Sequence, residues 1–162
     1  MLPFRPRRSV LYVPGSNARA LEKARALSAD GLILDLEDAV APAAKEEARG
    51  LAVAALAAGD WGWRERILRV NGPATPWGAD DLAAAARSGA DAVLLPKVES
   101  AEEVRAAERG LDAGGAPPGL PLWAMIETPT AILDARAIAA HPRVSVLVMG
   151  TNDLYRELRA QM

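Results

Sequence analysis

The sequence predicts an α/β fold built on a parallel sheet, and three observations carry that prediction. Short runs rich in Val, Ile and Leu recur six times along the 162 residues, each followed by a longer stretch with helical periodicity. The runs are almost continuously apolar rather than alternating, as strands covered on both faces are. Polar residues collect just after the carboxyl ends of those runs. The balance of 51% hydrophobic and 25% charged residues is that of a globular chain and excludes general disorder.

Each element has its own local reason. The first strand is expected over 9–13, and Asn17 caps a helix over 18–27 with Leu21, Ala24 and Leu27 on one stripe. The second strand, 31–36, precedes an alanine-rich helix over 43–58 that Pro42 opens and Gly59 closes. The third strand, 66–70, leads to a helix over 80–87 halted by Gly89. After a fourth strand at 92–95, Ser100 caps a helix over 101–109, with Glu103 completing a capping box. A fifth strand at 121–126 gives way at Thr128-Pro129 to a helix over 130–140, stopped by His141-Pro142. The sixth strand spans 144–149, and a last helix begins at Leu154. Right-handed crossovers between parallel strands leave two architectures, an open doubly wound sheet or a (β/α)8 barrel.

Composition removes several function classes. A formal charge of -2 gives no basic field for nucleic acid. The absence of cysteine removes disulfides, thiolate metal sites and thiol nucleophiles. A single histidine, His141, removes multi-histidine zinc sites. Neither a G-x-G-x-x-G after the first strand nor a Walker A motif is present. No apolar run approaches the roughly 20 residues of a membrane span. Residues 1–15 lack the long apolar region of a signal peptide, so a cytoplasmic protein without membrane contact is expected.

The polar residues after the strands carry the chemistry. Asp35-Leu36-Glu37-Asp38 ends the second strand and Arg69-Val70-Asn71-Gly72 the third. Lys97 and Glu99 follow the fourth, Glu127-Thr128 the fifth, and Gly150-Thr151-Asn152-Asp153 the sixth. In either architecture these strand ends form one rim, where ligands bind. Carboxylates without His or Cys suit Mg²⁺, or Mn²⁺ as an alternative, and Glu127 and Asp153 at adjacent strand ends are placed to share one ion. Arg69 offers a planar, permanently charged fork for a carboxylate or an enolate. The reaction class is metal-assisted making or breaking of a carbon–carbon bond beside a carbonyl.

RRSVLYVPGSN, DGLILDLEDAV with Lys45 and Ala48-Arg49 beyond it, RVNG, LLPKVES, AMIETP and VMGTNDL, in this order, resemble the HpcH/HpaI aldolase and citrate lyase β-subunit superfamily. LDLEDAV with RVNG is similar to the branch containing citryl-, malyl- and citramalyl-CoA lyases. The resemblance implies a TIM barrel, Mg²⁺, and β-hydroxyacyl thioesters of CoA or acyl carrier protein, cleaved to a keto acid and an acyl thioester. It implies metal ligation by Glu127 and Asp153, and substrate binding with enolate stabilisation by Arg69. Glu37 and Asp38 would hold metal-bound water or orient Arg69, and the backbone around Gly150, Thr151 and Asn152 would bind the keto-acid carboxylate. Arg8, Ser9 and Lys45 are weaker candidates for thioester or phosphate contacts. Two other readings accompany it: a class II aldolase acting on free hydroxy-keto acids, and a truncated, non-catalytic family member.

Several residues also have plainer readings. Lys97 at a strand end admits a Schiff-base mechanism, but lysines there more often pair with neighbouring acids. Arg5, Arg7 and Arg8 read as a solvated basic face, His141 as a surface residue at a helix end, and Trp61 with Trp63 as packing for a loop. Length is the last constraint. A complete barrel typically needs about 250 residues, and six βα units account for all of 1–162, so a single, partial barrel domain is expected. Its two uncovered edges are expected to drive self-association as a homo-oligomer, trimeric or larger.

Overall fold

The structure, a computed structural model, describes residues 5–160. Its strands are β1 (Val10–Pro14), β2 (Gly31–Asp35), β3 (Glu65–Arg69), β4 (Ala92–Leu95), β5 (Leu122–Ile126) and β6 (Val144–Met149). After them come, in turn, α1 (Ala18–Ala24), α2 (Lys45–Ala57), α3 (Gly78–Arg87), α4 (Ala101–Ala113), α5 (Pro129–Ala139) and α6 (Thr151–Glu157), with a 3-10 turn, Pro42–Ala44, leading into α2.

Every neighbouring pair is parallel, and the strand order runs β1-β2-β3-β4-β5-β6 without a reversal. A doubly wound sheet changes direction at a switch point; one-way addition is the wall of a barrel. The six strands form an open arc, with β1 and β6 at its two edges. No helix among the described residues is long and apolar enough to cross a membrane.

Strand alternation sorts the apolar residues into two layers. Leu32, Leu34, Leu68, Val93, Leu122 and Ala124 face the helices and pack with Leu21, Leu56, Val104, Leu111 and Ile138. Ile33, Ile67, Leu94, Trp123 and Met125 face the concave side. Register pairs Ile33 with Ile67 and, one layer nearer the carboxyl rim, Asp35 with Arg69.

The expected caps form: the Asn17, Ser100 and Thr128 side chains accept from the N–H groups of Ala20, Glu103 and Ala131. Glu103 reaches the N–H of Glu99 at 2.7 Å, one residue earlier than in a capping box. α4 continues through Gly110, where a methyl group would stand 3.1 Å from Leu82 Cδ1, so α3 and α4 approach closely there. α6 begins at Thr151, three residues before the expected start, with Gly150 as its cap residue and Asp153 in its first turn.

The basic segment before β1 is solvated, as expected, and is also paired. Arg7 makes a two-pronged ion pair with Glu65, at 2.6 and 2.8 Å, and lies over the Trp123 ring. Arg8 pairs with Asp30, whose carboxylate also accepts the Arg8 and Ser9 N–H groups. Asp30 and Glu65 stand at the amino-terminal ends of β2 and β3. Arg7 and Arg8 thus remain on a solvated face, with the Arg8 side chain 78% exposed, while pairing with carboxylates at the end of the barrel opposite the rim. His141 is also more enclosed than expected: it accepts the Arg143 N–H and lies 3.4 Å from Glu108 of α4. Trp61 is buried and bonded to the Ala55 carbonyl, whereas Trp63 is exposed.

Candidate active site

Strand direction and alternation bring the site together at the carboxyl rim. Asp35 ends β2 facing inward, and its two oxygens take Arg69 Nε at 2.6 Å and Nη2 at 2.5 Å. The same carboxylate accepts the N–H groups of Glu37 and Ala39, so it also shapes the chain leaving β2. The third guanidinium nitrogen, Arg69 Nη1, lies 2.9 Å from Glu37 and 3.5 Å from Asp38. Tyr12 of β1 stacks across the guanidinium at 5.1 Å. Arg69 is therefore fixed on two edges and one face. Burial alone would lower its pKa, but the hydrogen bond and charge of Asp35, then Glu37 and Asp38, reverse this and raise it.

Glu127 follows β5 and is buried. The backbone N–H of Lys97 donates to its Oε1 at 2.7 Å. Its other oxygen faces Gly150, where an added methyl carbon would come within 2.6 Å. Burial pushes the Glu127 carboxyl up; the Lys97 N–H opposes this, and the charges of Glu37 and Asp153 add to it. Asp153 comes from the next strand end and lies 3.8 Å from Lys97 Nζ and 3.3 Å from Arg156. Lys97 Nζ also reaches Glu37 at 3.3 Å, which is the acid-pairing expected for a lysine at a strand end. Burial raises the Glu37 carboxyl too, against the opposing charge of Arg69.

Tyr12, Asp35, Asp38, Arg69, Glu127 and Asp153 all line one open cleft of about 510 Å³, together with Gly150, Thr151 and Asn152. Of the residues singled out in the sequence, Arg69, Glu37, Asp38, Glu127, Asp153 and the Gly150–Thr151–Asn152 backbone meet at this rim. Arg8 and Ser9 do not, because they precede β1 and are engaged by Asp30 at the far end. Lys45 is buried instead of presented to a ligand: its ammonium donates to the Leu36 and Glu37 carbonyls at 2.8 and 2.7 Å and ties down the turn after β2. Tyr12 is the participant that sequence reasoning missed, and Asp35, named there only within the acidic block ending the second strand, has no role of its own in that reading. Their signal was the two-residue alternation Ile33, Asp35 on β2 and Val10, Tyr12 on β1.

The donor set fits a hard divalent cation. Glu127 and Asp153 offer carboxylate oxygens, and a buried carboxyl repelled by two neighbouring acids gains from a nearby positive charge. Among the described residues no group of three His, Cys, Asp or Glu side chains is gathered to hold a metal. The arrangement matches magnesium, which typically takes one or two carboxylates and leaves its other positions to water and substrate.

The molecule's relatives bear on this geometry. Residues 8–162 match the model of the HpcH/HpaI aldolase/citrate lyase family. The chain is 54% identical over 156 residues to the (3S)-malyl-CoA thioesterase of Cereibacter sphaeroides (strain ATCC 17025 / ATH 2.4.3), covering 96% of this chain and 53% of that protein. It is 40% identical over 163 residues to the citrate lyase subunit beta of Escherichia coli (strain K12), covering 97% and 54%. Among solved structures, CitE from Mycobacterium tuberculosis in complex with magnesium and pyruvate superposes with a TM-score of 0.78 at 29% identity, over 99% of this chain and 61% of that one. Another CitE structure holds magnesium, acetoacetate and coenzyme A, with a TM-score of 0.76 at 29% identity, over 98% and 54%. The chain spans about half the length of these curated relatives. On both the family match and the identity to its relatives, the chain belongs to the HpcH/HpaI aldolase/citrate lyase family.

Proposed function

We propose that this chain carries the cation- and enolate-handling part of an enzyme acting on a β-hydroxyacyl thioester of the malyl class. The reaction cleaves the carbon–carbon bond next to the hydroxyl, giving an oxo acid and an acyl thioester. The observation that carries the reading is the meeting of an Asp35-locked Arg69 with the Glu127–Asp153 pair in one cleft. The CoA-containing CitE structure and the malyl-CoA relatives support coenzyme A as the thiol; an acyl-carrier-protein thioester presents the same reacting end.

Glu127 and Asp153 would hold magnesium, as the CitE structures do in their own site. Bound there, the ion supplies Lewis-acid polarisation of substrate oxygens. Arg69 stabilises the negative charge that develops on the thioester oxygen as the bond breaks. Asp35 keeps the planar guanidinium oriented, and Glu37 and Asp38 hold its remaining edge. The backbone N–H groups of Thr151 and Asn152, at the start of α6, bind the carboxylate of the oxo acid, while the Gly150 N–H is taken by the Ile126 carbonyl.

The test uses purified protein and (S)-malyl-CoA, following glyoxylate as its phenylhydrazone and free thiol with a disulfide dye. The expected result is glyoxylate without free thiol, abolished by EDTA and restored by Mg²⁺. Turnover indifferent to EDTA refutes the Glu127–Asp153 assignment, and cleavage of free hydroxy-keto acids alone refutes the thioester. A second reading, hydrolysis of the thioester, is favoured by the 54% identity to (3S)-malyl-CoA thioesterases. It predicts free thiol without glyoxylate in the same assay.

A further inference from the structure

Lys97 has a backbone that its side chain does not account for. Its φ is +48°, in the left-handed region that a residue with a Cβ occupies only against a steric penalty. The other non-glycine residues with positive φ among those described, Asp60 and Arg159, lie in the turn after Gly59 and at the end of α6. Lys97 is the one inside the cleft region. The conformation has a visible product: it turns the Lys97 N–H to donate to Glu127 Oε1 at 2.7 Å. Gly150 closes the opposite side, where even one additional carbon would fall 2.5 Å from Glu127 Cβ. The Gly150 N–H is itself bonded to the Ile126 carbonyl at 3.0 Å, so this wall is anchored to β5.

We propose that Lys97 is a positioning residue for cation binding, acting through its left-handed backbone, which pins one oxygen of Glu127 so that the carboxylate is held ready for the ion. Backbone strain persists where surrounding structure over-determines it, and such sites cluster where a group must be pre-organised. The ammonium has a separate, secondary part. From 3.3 Å of Glu37 and 3.8 Å of Asp153, it keeps two acids from repelling each other while the backbone keeps Glu127 in place. This gives Lys97 a role that uses no covalent chemistry at Nζ.

The inference rests on Glu127 and Asp153 as the cation pair, and the experiment separates the two. Mg²⁺ alone is titrated calorimetrically into the wild type and the variants K97G, K97A, K97V and E127Q, each first checked for folding by circular dichroism. K97G and K97A both lack the ammonium and differ in their tolerance of positive φ. K97G is expected to bind Mg²⁺ at least threefold more tightly than K97A. K97V, whose β-branched side chain resists the left-handed region, is expected to lose tenfold or more. Should K97V not fold, the K97G–K97A pair decides alone. Equal affinities for K97G and K97A overturn the proposal while wild-type binding and its loss in E127Q leave the cation pair standing. No Mg²⁺ binding by the wild type, or unchanged binding by E127Q, overturns the cation pair and this inference with it. A role confined to loop stability would shift thermal midpoints in K97A and leave Mg²⁺ affinity equal to that of K97G.

Discussion

Replacing Gly150 with alanine probes the steric fit of the site by a single methyl group. Gly150 has φ -87° and ψ 77°, so alanine meets no left-handed penalty there and the effect is steric alone. The new carbon would stand 2.5 Å from Glu127 Cβ and 2.6 Å from Oε2. Relaxed carbon–carbon contacts lie near 3.5–4.0 Å, so the overlap is about 1 Å. A shift of the backbone alone relieves the contact with Cβ, and a swing of the carboxylate relieves the contact with Oε2. If the chain shifts as a whole, overpacking costs about 1–3 kcal/mol. If Glu127 swings away, it gives up the Lys97 N–H, and a hydrogen bond to a charged group contributes about 1.5–3 kcal/mol. Both routes converge on about 2 kcal/mol, equivalent to roughly 30-fold in an equilibrium constant. Urea unfolding reads the first route and calorimetric Mg²⁺ titration the second. A G150A protein within about 0.5 kcal/mol of wild type in unfolding, and within twofold in Mg²⁺ affinity, would refute the reasoning that Gly150 makes room for a fixed carboxylate.

Other perturbations act on neighbouring parts of the same rim. D35A leaves Arg69 buried without its main partner and should cost about 3–5 kcal/mol in urea unfolding, the penalty for stranding one half of a buried pair. K45A leaves the Leu36 and Glu37 carbonyls without their ammonium donor and should cost about 1–3 kcal/mol by the same assay. Without a divalent cation, Glu127 and Glu37 have raised pKa values in the folded state, so the folded chain binds more protons than the unfolded one above the ordinary carboxylate range. Stability should therefore fall as pH rises through that window, and E127Q or added Mg²⁺ should flatten the slope of thermal midpoint against pH. Asp30 has the opposite sign: Arg8 holds it down to about 2, so its contribution is present above the ordinary carboxylate range and is lost as pH falls toward that value. An Asp30→Asn variant should show a shallower acid limb in the thermal profile, the remainder coming from carboxylates such as Asp91 that are also held down.

The sequence made the strands and the rim legible because parallel strands between helices leave a strong mark. Buried runs such as 31–34 are wholly apolar, so the first polar residue after each run announces the rim. The same continuity hid which way each residue faces. Asp35 reads as one member of an acidic block, and only the register of β2 on β3 shows that it shares an inward layer with Arg69 while Glu37 and Asp38 lie on the departing loop. Arg8 and Lys45 were assigned to ligands for a related reason: a basic residue near a strand does not declare its partner. Asp30, immediately before β2, claims Arg8 at the far end, and two carbonyls claim Lys45 from inside. The start of α6 was placed too late because Thr151 and Asn152 read as loop residues, although Gly150 serves as the cap position without any side-chain bond.

Charge balance at the rim gives a reason for a cation beyond its Lewis acidity. Asp35, Glu37, Asp38, Glu127 and Asp153 line or adjoin the cleft, against Arg69, Lys97 and Arg156, a deficit of two positive charges when all are ionised. Asp35 spends its charge on Arg69, and Glu37 draws on both Arg69 and Lys97. Among the described residues Glu127 has no ion-pair partner; burial first, and then the charges of Glu37 and Asp153, raise its carboxyl, against the N–H and the charge of Lys97. A malyl-class thioester brings another carboxylate into this field, so an unoffset rim would repel the substrate it is proposed to bind. On the proposed reading, magnesium at Glu127 and Asp153 offsets the deficit and turns the same acids from a barrier into a frame. Substrate affinity should then depend on Mg²⁺ even in a variant too slow to turn over, such as R69M. Equilibrium binding of malyl-CoA to R69M that is indifferent to Mg²⁺ would show that the acids are neutralised by some other means.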